Sequence, residues 1–339
     1  MNQRKKIWAQ LPPLPKAMLA DLVNQYESAN LEGIWTSQTF GAPFLALSAA
    51  AMVSDKLKLG TGIALAFARS PLETALNIMD LDRISGGRAV LGLGSSAKSL
   101  IDAFGMEYGK PLAHMREVIG LIRAIIEKGH TGELGILEGE YHRLDLSHFR
   151  TTQPPLRTHI PIYLPAVFEK AVQQAGELAD GLLAHPLWCE KWITEEVDGN
   201  LKIGLDKSGR KRADFDVNLM VFVAINDDKK EAINDTRTNI AFYSQSPQYL
   251  RYFEAIGFGT EAKAIQDAFA VNDFAAMNEA CSDEMVEAIA LVGPADVVKK
   301  RMEGRAAYAD SITPVVPQFG LSPEKTVFYT KNIADTFYG

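Results

Sequence analysis

Residues Leu57 to Ser96, LKLGTGIALAFARSPLETALNIMDLDRISGGRAVLGLGSS, constrain the fold of this chain more than any other stretch. Leu57 to Phe67 is a nearly continuous apolar run, the pattern of a strand buried on both faces of a parallel sheet. Gly60-Thr61-Gly62 interrupts it. Ser70-Pro71-Leu72-Glu73 then supplies an N-cap serine, a proline at the first helical position and a glutamate three residues after the cap. The helix is expected to stop at Ser85-Gly86-Gly87. Arg88-Ala89-Val90-Leu91 opens a second strand that ends in Gly92-Leu93-Gly94-Ser95-Ser96. The stretch predicts one βαβ unit, with glycine-rich irregularities at both strand ends where a ligand could approach.

The same alternation runs through the whole chain. Strands are expected at Lys6 to Gln10, Leu31 to Trp35, Leu57 to Phe67, Arg88 to Gly94, Ile160 to Leu164, Gly181 to His185, Val217 to Ile225 and Ile312 to Val316. Helical patterns separate them, including Lys16 to Ser28, Pro43 to Val53, Met115 to Glu127, Glu169 to Ala179, Trp188 to Leu205 and Pro323 to Phe337. Pro294 is expected near the first position of one more helix. Such a repeat fits either a closed (β/α)8 TIM barrel with insertions or an open doubly wound sheet. The length of 339 residues suits the barrel, and no GxGxxG follows the first strand. The barrel is therefore expected, as a single domain over residues 1-339. A hairpin insertion is read near 129-159 and a helical insertion near 227-290.

Composition narrows the function classes. A net charge of -7 argues against nucleic acid or an anionic membrane as the main partner. Two cysteines, Cys189 and Cys281, with no CxxC spacing and no histidine set at ligand spacing, argue against a disulfide framework and a zinc site. The longest apolar stretch, Pro43 to Val53, falls short of the ~20 residues of a membrane span. Prolines cut off the short apolar run after the basic N-terminus, so no signal-peptide core is read and a cytoplasmic location is expected.

In a barrel the chemistry sits just after the strands. Those positions are Gln10, Ser37-Gln38, Ala66 to Arg69, Gly94 to Ser96, Pro165 to Phe168, His185, Asn226 and Gln318. The set is poor in acids, which disfavours metal-assisted and two-carboxylate mechanisms and suits a large, flat organic cofactor. An aldolase or metal hydrolase would need a strand-end lysine or a histidine-acid cluster, and neither is found.

The fragments GIWTSQTFGAPF, LGTGIALAFARSP, SGGRAVLGLGSS, MREVIGLIRAI, PIYLPAVFEKAVQQAGELADGLLAHP and VGPADVVKKRM, in this order and spacing, resemble the bacterial luciferase-like flavin and deazaflavin oxidoreductase superfamily. In detail they are most similar to the branch that uses the deazaflavin coenzyme F-420. The resemblance covers residues 30 to 190 well and the last third loosely. It implies a (β/α)8 barrel, a homodimer, and a cofactor ring resting on a bulge in the third strand that often holds a non-proline cis peptide. Here that bond is Gly62-Ile63, followed by Ala64. The resemblance also implies phosphate capture by backbone N–H groups at Gly94-Ser95-Ser96 and Ala166-Val167-Phe168, which suits donors at a loop-to-helix junction.

Two departures stand out. Phe168 occupies a place where relatives commonly have glycine, so it could narrow the phosphate pocket. Relatives often carry an acid near Gln38 and His-Asp near Gly41-Ala42, whereas this chain has Gln38-Thr39-Phe40-Gly41-Ala42 with no ionisable group. The catalytic candidates are then His185, after the sixth strand, with Gln38 and His114. Arg69 is read either as a partner for a substrate or cofactor anion or as one half of an ordinary salt bridge. The resemblance implies an oxidoreductase using F-420 for hydride transfer to or from an apolar organic substrate. The alternatives are an FMN-dependent monooxygenase that activates oxygen, and a barrel that binds the cofactor without catalysis.

Overall fold

Each of the eight apolar runs becomes a strand, and together they close a ring. In the computed structural model, which describes residues 5–38 and 41–338, the strands are β1 (Lys6–Gln10), β2 (Gly33–Thr36), β3 (Lys58–Thr61), β4 (Ala89–Gly94), β5 (Ile162–Ala166), β6 (Gly181–Ala184), β7 (Asp216–Ile225) and β8 (Ser311–Val315). β1 pairs in parallel with β8 through Lys6↔Ser311 and with β2 through Trp8↔Gly33. The order continues β2-β3-β4-β5-β6, and pairing of β6 with β7 and of β7 with β8 closes a parallel barrel. Closure excludes the open doubly wound sheet. The residues Thr39 and Phe40, in the loop read after β2, lie outside the described ones.

The chain divides into two compact units. One comprises Trp8–Leu183 and Leu201–Asp216; the other comprises Met1–Ile7, Ala184–Asn200 and Val217–Gly339. In the first, Trp8 and Trp35 stack with ring centroids 4.1 Å apart, packed with Val90 and Leu183 and flanked by Ile63 and Tyr163. Only glycine can lie beneath these indoles: a Cβ on Gly60 would sit 2.1 Å from the Trp35 ring. The Tyr163 hydroxyl donates to Asp216 Oδ2 at 3.2 Å, and burial pushes its pKa upward. In the second unit, Asn218 Nδ2 donates to Ser311 Oγ and Thr313 Oγ1 to Asn218 Oδ1, a satisfied polar ladder between β7 and β8.

The opening βαβ unit folds as its caps dictate. Helix Pro71–Ile84 begins at Ser70, whose Oγ accepts the Glu73 N–H at 3.0 Å. It ends where Gly86 and Gly87 take positive φ, at 67° and 89°. Its buried Asp82 receives Arg157 Nε at 3.0 Å, fastening the segment after the hairpin to the helix and to β4. That hairpin is antiparallel, Gly135–Glu138 with Arg143–Leu146. Removing Arg157 would leave the buried Asp82 carboxylate without its ion-pair partner, which is strongly destabilising.

Some boundaries differ from expectation. The Leu57 to Phe67 run is split, with β3 ending at Thr61 and a two-residue strand, Ala64–Leu65, pairing with the end of β4. Pro294 is the N-cap of helix Ala295–Ala306 and so stands one place before the first helical residue. Leu291–Gly293 forms a short strand beside β7 that the sequence reading missed. The expected Trp188 to Leu205 helix starts at Glu190 and passes through a π-turn at Ile193–Val197. The 227-290 region is a run of five helices from Lys229 to Ile289, with a 3-10 turn at Pro247–Tyr249.

Candidate functional site

The bulge after β3 is clasped from β2. The Gly62-Ile63 peptide is cis. Gly62 N donates to Thr36 O at 2.8 Å, and Gln38 N donates to Ile63 O at 3.0 Å. The Gln38 side chain returns the contact, its Oε1 accepting Leu65 N at 2.9 Å and Arg69 Nη1 at 3.1 Å. Both partners are donors, so the facing atom must be the amide oxygen and the NH2 points elsewhere. The Arg69 guanidinium also lies over the Phe44 ring, 5.3 Å from its centroid.

Gly94 lies against this bulge at the end of β4. A Cβ there would meet Ile63 Cδ1 at 2.0 Å and Pro165 Cγ at 3.0 Å. Ala66 N donates to Gly94 O, and Ser96 takes φ 59°, a left-handed turn that a serine adopts at some cost. Ser95 and Ser96 remain partly exposed. Ala166 ends β5, and Val167 and Phe168 lead into helix Glu169–Leu178, whose first turn has no side-chain cap. The unit thus carries together Gly62, Ile63, Ala64 and Gly94, and places the N-terminus of a ten-residue helix directly after β5.

His114 is positioned differently from a group facing a ligand. It is 2% exposed and lies between Phe67 and Tyr141, with ring centroids at 3.9 and 4.2 Å. Nδ1 contacts Tyr108 O at 3.1 Å and Nε2 contacts His142 Nε2 at 2.9 Å. Both nitrogens are therefore engaged within the chain. Glu117 completes the cluster, its carboxylate accepting the backbone N–H groups of Glu140, Tyr141 and His142. His142 immediately precedes the second strand of the inserted hairpin, 28 residues from His114, and no sequence pattern pairs the two.

His185 belongs to the other unit and directly follows β6. The Leu187 N–H donates to its Nδ1 at 3.3 Å, so the neutral ring carries its proton on Nε2. That nitrogen faces the Tyr249 hydroxyl at 3.3 Å. Tyr243 meets the ring edge-on at 5.2 Å. Burial draws the His185 pKa down to about 4, so it is a neutral hydrogen-bond donor at physiological pH.

Among the described residues no group of three or more His, Cys, Asp or Glu could hold a metal ion, and no helix is long and apolar enough to cross a membrane. Comparison with known proteins sets this geometry in a family: residues 6–311 match the luciferase-like monooxygenase model. The chain belongs to the luciferase-like family. A Mycobacterium tuberculosis relative of uncharacterised role is 34% identical over 309 residues, 89% of this chain and 91% of its own. The 5,10-methylenetetrahydromethanopterin reductase of Archaeoglobus fulgidus is 31% identical over 289 residues, 82% of each chain. Among solved structures, the coenzyme F-420 dependent tetrahydromethanopterin reductase of Methanopyrus kandleri superposes with a TM-score of 0.82 at 25% identity, covering 98% of both chains. This luciferase-like barrel is thus one of a family of flavin- and F-420-dependent oxidoreductases and monooxygenases.

Proposed function

We propose that this luciferase-like barrel uses the deazaflavin coenzyme F-420 for hydride transfer to or from an apolar organic substrate. The observation that carries the reading is the cradle at Gly94. An added Cβ there would meet Ile63 Cδ1 at 2.0 Å and Pro165 Cγ at 3.0 Å, so glycine lets the cis bulge and the end of β5 close onto the end of β4, at the place where the family resemblance puts the cofactor. The residues present fit such a group. Gly62, Ile63 and Ala64 would support the ring. The backbone of Gly94, Ser95 and Ser96, with the turn Ala166-Val167-Phe168 leading into a helix N-terminus, would hold the phosphate without a cluster of cations. Phe168 at the N-cap position would cover the cofactor tail on one side.

Bound there, a deazaflavin supplies hydride chemistry without oxygen reactivity, because carbon replaces the ring nitrogen that makes flavin react with oxygen. The chain's own part is orientation and exclusion of water. Gln38 and Arg69 fix the bulge, and Leu65, Ala66 and Phe67 form a buried apolar segment after it. His185, neutral and bonded to Tyr249, would present a hydrogen bond rather than a labile proton. The reductase relatives support F-420. Reduced FMN with oxygen is the second reading, favoured by the monooxygenase description of the family itself. A cytoplasmic homodimer is part of the proposal, and the exposed Met18, Leu45 and Met52 offer apolar surface for self-association.

Parallel titration of the purified protein with F-420 and FMN tests the reading, followed by oxygen-electrode measurement with the tighter binder. F-420 should bind more tightly and consume no oxygen. Preference for FMN with oxygen uptake would replace it with the monooxygenase, and binding without turnover of any carbonyl or enone would leave a non-catalytic barrel.

A further inference from the structure

The polar edge beside the bulge is built entirely from donors. Gln38 has one acceptor atom in its side chain, and Leu65 N–H and Arg69 Nη1–H both occupy it. What the amide has left to offer is its two N–H groups. Arg69 has five N–H donors and no acceptor, and Gln38 and the face of Phe44 are its contacts. No carboxylate among the described residues pairs with Arg69, and Thr39 and Phe40, the neighbouring residues outside that set, carry no charge. Among the described residues the salt bridge that sequence left open is therefore not formed, and Arg69, just before helix Pro71–Ile84, has no ion-pair partner there.

Such an edge discriminates by sign. A hydroxyl or carbonyl can accept from it, but a carboxylate accepts from two donors at once and also neutralises the guanidinium. A cationic or donor-only group would meet donors face to face. The neighbouring residues Phe44, Leu65, Ala66 and Phe67 are apolar and buried, so none of their side chains competes as an acceptor for these donors. We propose that Gln38 and Arg69 form a recognition site for a carboxylate on the substrate, so that the substrate is an apolar acid rather than a neutral hydrocarbon or alcohol. The inference deepens the proposed oxidoreductase reading and rests on it for the identity of the neighbouring cofactor.

The discriminating substitution is Gln38→Glu. Its carboxylate can still accept from Leu65 N–H and Arg69, so the clasp on the bulge is retained, but the remaining atom changes from donor to acceptor and the positive charge is cancelled. Calorimetric titrations would use benzoate, 2-naphthoate and hexanoate, each against its corresponding alcohol, with and without F-420. In the unsubstituted protein at least one carboxylate should bind tenfold or more tightly than its alcohol. In Q38E and in Arg69→Met that preference should fall below threefold, with affinity for the alcohols changed less than threefold and the thermal midpoint of Q38E preserved.

The inference is overturned if no acid outbinds its alcohol, if the preference survives both substitutions, or if alcohol affinity falls in step with the acids. The last result would show loss of the apolar site rather than of a carboxylate contact. Failure of F-420 to bind, with the acid preference intact and lost in Q38E, would instead sink the cofactor reading and leave the carboxylate site standing.

Discussion

His114 and His142 face one another through their Nε2 atoms at 2.9 Å. The contact requires one donor and one acceptor. Nδ1 of His114 lies 3.1 Å from the Tyr108 carbonyl, which only accepts, so His114 must carry its proton there. His114 Nε2 is then the acceptor and His142 Nε2–H the donor. A proton on both rings would set two N–H groups against each other, so the pair accommodates one added proton, on His142. The pair ties helix Pro111–Lys128 to the inserted hairpin.

A pH dependence of the hairpin follows. Burial and the neighbouring His114 lower the His142 pKa from its ordinary 6.5, against the opposing charges of Glu117 and Glu107. The unfolded segment therefore takes up its proton first. The stabilisation is fully present above about pH 6.5 and is lost as pH falls through the folded value. Hydrogen exchange of the Glu140, Tyr141 and His142 amides should be more protected at pH 7.5 than at 5.5. Substituting His142→Gln should remove the difference between the two conditions; a difference that persists would assign it to another group.

Glu117 should matter more to that hairpin than its place on a helix suggests. Its carboxylate accepts three backbone N–H groups, and a Cβ on Gly139 would lie 2.3 Å from its Cδ, so only glycine lets the loop close over it. Hydrogen bonds to a charged acceptor contribute more than neutral ones, and Glu117→Ala is expected to cost about 2 kcal/mol. A denaturant midpoint unchanged by the substitution would refute this.

The backbone plan of this molecule was legible because parallel strands buried on both faces read as apolar runs, and all eight barrel strands announce themselves in that way. The Ser70-Pro71 cap and the Ser85-Gly86-Gly87 stop were equally plain, since each depends on neighbours in sequence. Contacts across long separations were not. The His114–His142 pair, the Gln38–Arg69 clasp and the His185–Tyr249 contact join residues 28, 31 and 64 positions apart. Residue type could nominate His114 and His185 as candidates, but only their partners distinguish a stacked, doubly bonded ring from one at a strand end. Leu291–Gly293 was missed because three residues are too few to show a period.

The glycines of β4 should respond unequally to alanine. At Gly92 an added Cβ would lie 1.9 Å from the Thr61 carbonyl oxygen, a backbone atom held between strands, so Gly92→Ala should cost at least 3 kcal/mol or abolish folding. At Gly94 the obstacle is Ile63 Cδ1, the end of a flexible side chain. Gly94→Ala should fold, with a loss of about 1–2 kcal/mol, and lose most of its affinity for the flavin-type cofactor. Trimming the obstacle with Ile63→Val should recover part of the stability in the double variant. Thermal melts and cofactor titration of the four proteins check each step, and purely additive losses would show that the two side chains do not meet.

The last prediction concerns His185. Its Nδ1 accepts the Leu187 N–H, so the ring can donate from Nε2 but cannot give that proton away without becoming an imidazolate. With a pKa near 4 it also stays neutral through physiological pH; the folded protein binds fewer protons there than the unfolded chain, and the associated stability declines as pH falls from about 6.5 through 4. His185 is therefore expected to orient the Tyr249 hydroxyl rather than to act as a general acid. Nitrogen-15 spectra of the histidines should show His185 in the Nε2–H tautomer with unchanged shifts from pH 8 to 5.5. Tyr249→Phe should lower turnover about tenfold, the scale of one lost hydrogen bond, while leaving cofactor affinity unchanged. His185→Gln keeps a donor and an acceptor and should fall between the two. An acid limb in the rate profile near pH 6 that disappears in His185→Gln would contradict the tautomer argument and return His185 to the role of proton donor.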